Sequence, residues 1–448
     1  MVLLEKIEEE RNLFFVGKKD KNNTIIYIIM SFTEKSENLI KGFVKEFENY
    51  CVKKSQSTQN RTDNILKTVF HDIKSADQFV ELSEKRKKIQ INVKEIKSLR
   101  ELPKTELMDS NFMPGPIKDD ILYNILGYMK ASININGIDV NIYYAFFKKS
   151  DFNQLKKIKK EIYEAIKIIK VCSSYSKLKS IKSLNVYLYL TKAEKKIPKN
   201  PVMVLGPNNC NSAVTFACAT NGRLMIYRKE EWKKVLVHEL FHSLCLDFSG
   251  IRYNNLKNKI KKIFDVKSDF EISESYSEFW ATILNSCFIS YNLLDDIDDI
   301  DTFLLFADFC IQLERIFSLF QMTKLLHFMG LRYTNLYKAD ELSSGFRKIL
   351  YKEDTNVLCY YVIKTLLLFY KDDFLKWCMM NNNNIIRFDK NEQNLDNFYK
   401  FIKQKYNAEF FDTSVNKMEL FFKKMRGPFI KNINSDIVNT SRMTICEN

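Results

Sequence analysis

The stretch Val235-Leu-Val-His-Glu-Leu-Phe-His-Ser-Leu244 sets the expectation for the fold. It holds two of the chain's four histidines, His238 and His242, and Glu239 directly follows the first of them. Positions four residues apart lie on one face of a helix, so both imidazoles could bind a single metal ion. Zinc lowers the pKa of a bound water to roughly 7, and a neighbouring carboxylate such as Glu239 can then take its proton.

The residues around this motif favour a buried helix over a solvated one. The flanking residues from Val235 to Leu244 are uncharged, whereas Lys233 and Lys234 stop just before the motif. A solvated helix would carry charged residues along one face. We therefore expect a helix that crosses the interior and carries a zinc site. The alternative is a core helix whose two histidines are only hydrogen-bonded.

A catalytic zinc site needs a third protein ligand and leaves its fourth position to water. The downstream stretch Ile272-Ser-Glu-Ser-Tyr-Ser-Glu-Phe-Trp-Ala281 predicts the start of a second helix, with Glu274 and Glu278 four residues apart. One carboxylate could bind the metal while the other accepts a hydrogen bond from a ligand histidine. A third histidine nearby is excluded, because only His71 and His327 remain. The alternative is a solvated helix face.

Together these residues resemble the gluzincins, a group of zinc peptidases whose ligands are two histidines and a glutamate. The resemblance implies that His238, His242 and Glu274 are the metal ligands, that Glu278 supports a ligand histidine, and that Glu239 is the general base. The stretch from Asn211 to Ala281 also resembles uncharacterised metallopeptidases encoded by large nucleocytoplasmic DNA viruses. Both resemblances cover only about 70 residues strongly.

The same resemblance implies a mainly helical C-terminal subdomain, which in gluzincins often supplies a Tyr, His or Arg that stabilises the oxyanion. Spacing does not choose among the candidates in this chain, and we take Tyr361 as the working assignment. The full set is Tyr276, His327, Arg332, Tyr333, Tyr360 and Tyr361.

Hydrophobic patterning predicts an α+β fold with a zincin-like lobe. Alternating residues around Asn136-Gly137 predict a hairpin, and so do those from Ser212 to Tyr227 around Asn221-Gly222. Helical spacing from Leu155 to Ile169 and alternation from Leu184 to Leu190 add a helix and a strand. We expect three parts: a helical N-terminal region at 1–112 with a loop at 54–63, the α/β lobe with the metal helix at 113–250, and a helical C-terminal subdomain at 251–448.

Composition and charge limit the classes of partner and the cellular location that we expect. The net charge of +15 accompanies abundant Lys, Asn, Ile, Phe and Tyr, and no basic cluster interleaved with aromatics predicts a nucleic-acid partner. The ten cysteines form no Cys-x-x-Cys pair, which favours reduced thiols. The chain has no secretory signal pattern and no run long enough for a membrane span. We expect a cytoplasmic protein, in the host-cell cytoplasm or the virion if it is viral.

The sequence thus predicts a zinc-dependent peptidase that acts on a protein or peptide substrate. The rival hypothesis is a zincin-fold structural or interaction protein with an occluded or inactive site. An intact Glu239 argues against the rival, because a protein without catalysis has no chemical need for the base.

Overall fold

The computed structural model describes residues 32–43, 56–177, 180–425 and 438–447. These residues form fourteen helices around one six-stranded sheet. The helices are α1 (Glu34–Phe43), α2 (Gln56–Lys85), α3 (Gly115–Asn124), α4 (Leu155–Tyr175), α5 (Pro207–Cys210), α6 (Trp232–Ser243), α7 (Asn254–Lys261), α8 (Ser273–Asn292), α9 (Ile300–Phe328), α10 (Glu341–Leu350), α11 (Lys364–Phe369), α12 (Lys371–Asn381), α13 (Glu392–Lys405) and α14 (Glu409–Met425). A π-helical turn, Leu358–Ile363, leads directly into α11.

The sheet is mixed. Its strands are β1 (Gln90–Glu95), β2 (Gly127–Ile135), β3 (Ile138–Phe146), β4 (Ser183–Thr191), β5 (Ala213–Thr215) and β6 (Asn221–Arg228). They lie in the order β1-β2-β3-β4-β6-β5. Strands β3, β4 and β6 run parallel to one another, while β1, β2 and β5 pair antiparallel with their neighbours. The carboxyl ends of three adjacent strands therefore meet at one edge of the sheet.

Both predicted hairpins are present. Asn136 and Gly137 have φ of 52° and 86° and join β2 to β3, as expected for a two-residue turn in which both residues adopt positive φ. Strands β5 and β6 pair as the second hairpin, although Asn221 and Gly222 begin β6 and do not form its turn. The α+β class is confirmed, as are the helix from Leu155 and the strand around Leu184.

The N-terminal region differs from the prediction in two respects. It includes β1, an edge strand paired with β2, so it is not wholly helical. The loop expected at 54–63 is wrong from Gln56 onward, because α2 already begins there. The polar residues of this first part of α2 find tertiary partners: Thr62 donates to Asp372 at 2.8 Å. The boundaries at 113 and 251 stay predictions.

The central strands β4 and β6 of the sheet are buried on both faces. On one face, α4 and α6 pack within the large core, which runs through the helices of the C-terminal part. On the other face, the segment from Leu102 to Ile125 covers Tyr187, Tyr189 and Met225 in a smaller apolar cluster. Parallel strands that are covered on both faces are expected to be largely apolar, as β4 is from Val186 to Leu190.

Helix α8 lies at the centre of the C-terminal part. Almost every residue from Ser273 to Tyr291 is buried, and α8 packs against both α6 and α9. A helix that is apolar on all sides belongs in a core. Because α6 is buried in the same way, the two helices that carry the predicted site lie side by side in the interior.

The segment 438–447 also lies in the interior. Its residues from Thr440 to Cys446 are buried, and their backbone groups are bound by side chains. Glu231 accepts from the Met443 N–H at 2.7 Å, and Lys364 donates to the Met443 carbonyl at 3.2 Å. Glu314 accepts from the backbone of Cys446 at 2.8 Å. The segment therefore passes through the core beside α6 and α9.

None of the helices in the described part of the chain has the length and apolar character required to span a lipid bilayer.

Candidate metal centre

Helices α6 and α8 bring three metal-binding side chains together. The Nε2 atoms of His238 and His242 lie 3.1 Å apart. Oε2 of Glu274 lies 2.9 Å from Nε2 of His238 and 3.2 Å from Nε2 of His242. These three residues, called the metal group below, could hold a metal ion. Ligand atoms about 2.0–2.2 Å from a tetrahedral zinc would be roughly 3.3–3.5 Å apart, so small shifts would open the group to that size.

The protonation pattern of the two histidines also fits a metal. Nδ1 of each ring faces a carboxylate, Glu278 for His238 and Asp247 for His242. A carboxylate is only an acceptor, so each Nδ1 is assigned the proton in the neutral ring. Both Nε2 atoms then present lone pairs to each other and to Glu274. Three lone-pair donors that converge in a buried site repel one another unless a metal ion lies between them or a histidine takes up a second proton. Burial lowers the pKa of both histidines, but the neighbouring carboxylates outweigh it and raise the pKa of each.

Glu278 supports His238 from behind. Its Oε2 lies 2.8 Å from Nδ1 of His238, although the angle is poor for a hydrogen bond, so the contact is chiefly electrostatic. Its Oε1 forms a buried ion pair with Lys234, one turn before His238 on α6. Burial opposes ionisation, but Lys234 and His238 together hold the pKa of Glu278 far below its ordinary value. Glu278 is therefore a carboxylate that joins the metal group to a buried lysine.

Lys234 connects the site to the C-terminal segment. Its Nζ lies 3.9 Å from Sδ of Met443, and Lys364, which binds the Met443 carbonyl, also lowers the pKa of Glu278. The buried segment thus packs against the cations that hold Glu278.

Asp247 supports His242, and the sequence analysis missed it. Its Oδ2 accepts from Nδ1 of His242 at 2.5 Å and from the Ser277 hydroxyl at 3.0 Å. Its Oδ1 accepts from the backbone N–H and the hydroxyl of Ser249, at 3.1 and 2.7 Å. The available signal was an acid five residues after the second histidine, just beyond the end of α6. A second carboxylate near the motif was expected only on α8.

Glu239 lies beside the group with its carboxylate buried. Burial raises its pKa above the ordinary value, and the nearby His238 and His242 oppose that shift. Within the described residues, no hydrogen bond to this carboxylate is found. It is the one acid of the site that the protein does not use to hold another side chain.

Tyr360 lies over the metal group. Its ring packs edge-on against His238, with ring centroids 5.9 Å apart. Burial, followed by the nearby carboxylate of Glu274, holds the pKa of Tyr360 well above its ordinary value, and Glu239 adds to the shift. Tyr360 therefore stays neutral, and the Asn356 side chain is a hydrogen-bond donor to its hydroxyl, which leaves the hydroxyl proton for donation.

The other oxyanion candidates have structural partners. The hydroxyl of Tyr361, our working assignment, donates to the Ser441 carbonyl at 2.6 Å, so it is engaged with the C-terminal segment. The remaining candidates are also occupied: Tyr276 binds Ile386, Tyr333 binds Tyr406, Arg332 binds Glu419 and His327 packs on Phe422.

A disulfide bond lies next to the carboxyl end of α6. Cys218, in the loop between β5 and β6, is bonded to Cys245, and the Cys218 N–H donates to the His242 carbonyl at 3.0 Å. The expectation that all thiols are reduced is therefore wrong for this pair. The two cysteines are 27 residues apart in sequence, and β6 and α6 lie between them. The other described cysteines are buried and unbonded.

Comparison with protein families, with curated proteins and with solved structures gave no match to this chain.

Proposed function

We propose that the protein is a zinc-dependent peptidase of the gluzincin type, built on a zincin-like lobe. The observation that carries the proposal is the convergence of His238, His242 and Glu274, with both histidine Nδ1 atoms facing carboxylates. Two imidazoles and one carboxylate are a ligand set of catalytic zinc, which keeps its fourth position for water. Direct carboxylate partners of ligand histidines are also typical of such sites.

The roles of the remaining residues follow from their positions. When bound, zinc lowers the pKa of a coordinated water and polarises the substrate carbonyl. Glu239 would take a proton from the attacking water and deliver it to the leaving amine, because its carboxylate has no other hydrogen bond within the described residues and burial raises its pKa. Tyr360 donates a hydrogen bond to the carbonyl oxygen as negative charge develops there.

Strand β5 is the proposed peptide platform. It is an edge strand, it pairs only with β6 within the described residues, and it packs against α6. An extended peptide that adds to this edge would run alongside the helix that carries His238 and His242. The short length of β5, Ala213–Thr215, limits such pairing to a few residues on each side of the scissile bond.

The rival function, a structural or interaction protein, is kept because the ligands are nearly buried. His238 and His242 are 6% and 7% exposed. The side chain of Glu274 is 16% exposed, so access to the group is from the Glu274 side. A narrow approach suits an extended peptide, but it also suits an occluded site.

Two measurements decide between these functions. Elemental analysis of the purified protein should give about one zinc per chain. A library of internally quenched peptides should be cleaved by the wild-type protein and not by Glu239→Gln at the same zinc content. Zinc without cleavage of any peptide would favour the rival function. Absence of any transition metal would contradict the proposed site itself.

A further inference from the structure

A second polar cavity lies away from the metal group. It has a volume of about 610 Å³ and lies at the carboxyl ends of β3, β4 and β6. The first turn of α4 and the end of α3 complete its wall. In sheets with parallel strands, ligands commonly bind outside the carboxyl ends of the strands.

This cavity is separate from the metal group. A Cβ on Gly222, at the amino end of β6, would lie 3.1 Å from Oγ of Ser243, the residue after His242. The metal-bearing end of α6 is therefore at the amino ends of the strands. The eight residues of β6 span roughly 25 Å, which separates the two sites by about the length of a strand.

Three lysines mark the carboxyl ends of the parallel strands. Lys148 follows β3 by two residues, Lys192 directly follows β4, and Lys229 directly follows β6; all three line the cavity. The backbones of two of them are held in place. The N–H of Lys148 donates to Asp151 at 2.9 Å, and the N–H of Lys229 donates to the Thr191 carbonyl at 2.9 Å. All three lysines lie at the same edge of the sheet.

The acids and the lysines that line the cavity differ in whether they have partners. Each acid of the lining has a hydrogen-bond donor. Asp120 accepts from Asn124, Asp151 accepts from two backbone N–H groups, and Glu161 accepts from the Tyr144 hydroxyl. In contrast, Lys148, Lys192 and Lys229, with Lys157 of α4, form no ion pair within the described residues. Lys148 approaches Lys192 closely enough to lower the pKa of Lys192.

We propose that this cavity binds a small molecule through a phosphate group held by Lys148, Lys192 and Lys229. Ammonium groups of like charge that share one wall are stabilised by an anion, although Asp151 of the same lining already attracts Lys192. The start of α4 strengthens the preference, because the positive end of a helix dipole favours phosphate. The volume matches that of ordinary small-molecule sites.

The test is calorimetric titration of the full-length protein with inorganic pyrophosphate and with ADP. The test variant is the triple substitution Lys148→Ala, Lys192→Ala, Lys229→Ala. The control variant is Lys156→Ala, Lys160→Ala, Lys182→Ala, which removes the same charge from exposed positions outside the cavity. We expect the test variant to raise the Kd of pyrophosphate at least about tenfold, and the control to raise it less than about twofold.

Thermal denaturation provides a second measurement. Pyrophosphate should raise the Tm of the wild type and the control but not that of the test variant, since a ligand stabilises only the state that binds it. Tighter binding of ADP than of pyrophosphate would identify a nucleotide as the ligand, and equal binding would identify the phosphate group alone; both support the site. Equal pyrophosphate affinity in all three proteins would overturn the proposal, because it would place the anion elsewhere, for example at the metal. No binding to the wild type would overturn it as well.

Discussion

The two sides of the metal group differ in how their polar atoms are used. On the side of Glu239 and Tyr360, the carboxylate of Glu239 has no hydrogen bond within the described residues, and Tyr360 packs on His238 with its pKa raised by burial and then by nearby acids. In contrast, Asp247 is held by four donors and Glu278 is held by a buried lysine. On the proposed function, this difference separates groups that act on a substrate from groups that hold the metal ligands.

The two acids that support the histidines, Asp247 and Glu278, are themselves held in different ways. Asp247 is held by neighbours close in sequence, chiefly Ser249, and needs little else to find its position. Glu278 depends on Lys234 across 44 residues of sequence and, through it, on packing against Met443. We expect substitutions on the substrate side to alter rate, those at Asp247 to alter metal affinity, and those near Glu278 to alter affinity and stability together.

The largest effect is expected for the ligands themselves. His238→Ala, His242→Ala or Glu274→Ala leaves only two protein ligands, so each should empty the site and abolish peptidase activity. Metal analysis after gel filtration provides the measurement. Full zinc occupancy in any of the three variants would show that the residue is not a ligand.

Glu239→Gln tests the substrate side. It removes the base and keeps the approximate size, so zinc content should remain while kcat falls by at least about 100-fold. Because the carboxylate holds no other side chain, the Tm should change by no more than a few degrees. Undiminished turnover at full zinc occupancy would assign the base elsewhere.

Tyr360→Phe tests the proposed oxyanion donor. It keeps the ring on His238 and removes the hydroxyl, so kcat should fall by roughly 100-fold with little change in zinc affinity. Its neighbour provides the control. Tyr361→Phe removes a buried hydrogen bond to Ser441 and should cost about 1 kcal/mol of stability with kcat nearly unchanged. The reverse pattern would restore Tyr361 as the donor.

The two supporting acids provide the sharpest test of the comparison. Asp247→Asn and Glu278→Gln should each weaken zinc binding by roughly 10- to 100-fold without emptying the site. Competition with a chelator measures both. Only Glu278→Gln should also lower the free energy of unfolding markedly, because it leaves Lys234 buried without its anion. Equal stability loss in the two variants would remove the distinction between the two supports.

Lys234→Met tests the connection to the C-terminal segment and should have the smallest effect on zinc affinity, of several-fold. It removes one partner of a buried pair, which typically costs about 3–5 kcal/mol of stability. The double variant Lys234→Met, Glu278→Gln removes both charges and should recover part of that loss. Additive losses in urea denaturation would show that the two side chains act independently.

The sequence was informative where a pattern is local and repeated. Spacing on one helix predicted His238 and His242, alternation predicted both hairpins, and the pair on α8 brought Glu274 and Glu278 into consideration. Whether each has its proposed role stays a prediction. Two things were beyond such reasoning, for different physical reasons: the contact of Asp247 with His242, and the choice between Tyr360 and Tyr361 among the candidates.

Asp247 follows the end of α6, where helical periodicity no longer predicts the direction of a side chain. Its position depends on a turn closed by Ser249. Tyr360 and Tyr361 lie in the π-helical turn Leu358–Ile363. A π-turn changes the phase of the following residues, so α-helical spacing does not determine which tyrosine faces the metal group. The path of the segment 438–447 through the core depends on contacts with distant residues, and no local pattern encodes such contacts.

Because the buried C-terminal segment packs against the residues that support the metal group, the site can be completed only late in synthesis. Met443 is 209 residues beyond Lys234, and a ribosome that adds about 5–20 residues per second needs roughly 10–40 s to cover that distance. His238 and His242 leave the ribosome during this interval, before the packing that holds Glu278 and Lys234 is complete. The nascent chain thus passes through a period in which it carries the motif without a finished site. For the proposed peptidase, such a delay would spare the unfolded chains that are its neighbours on the polysome.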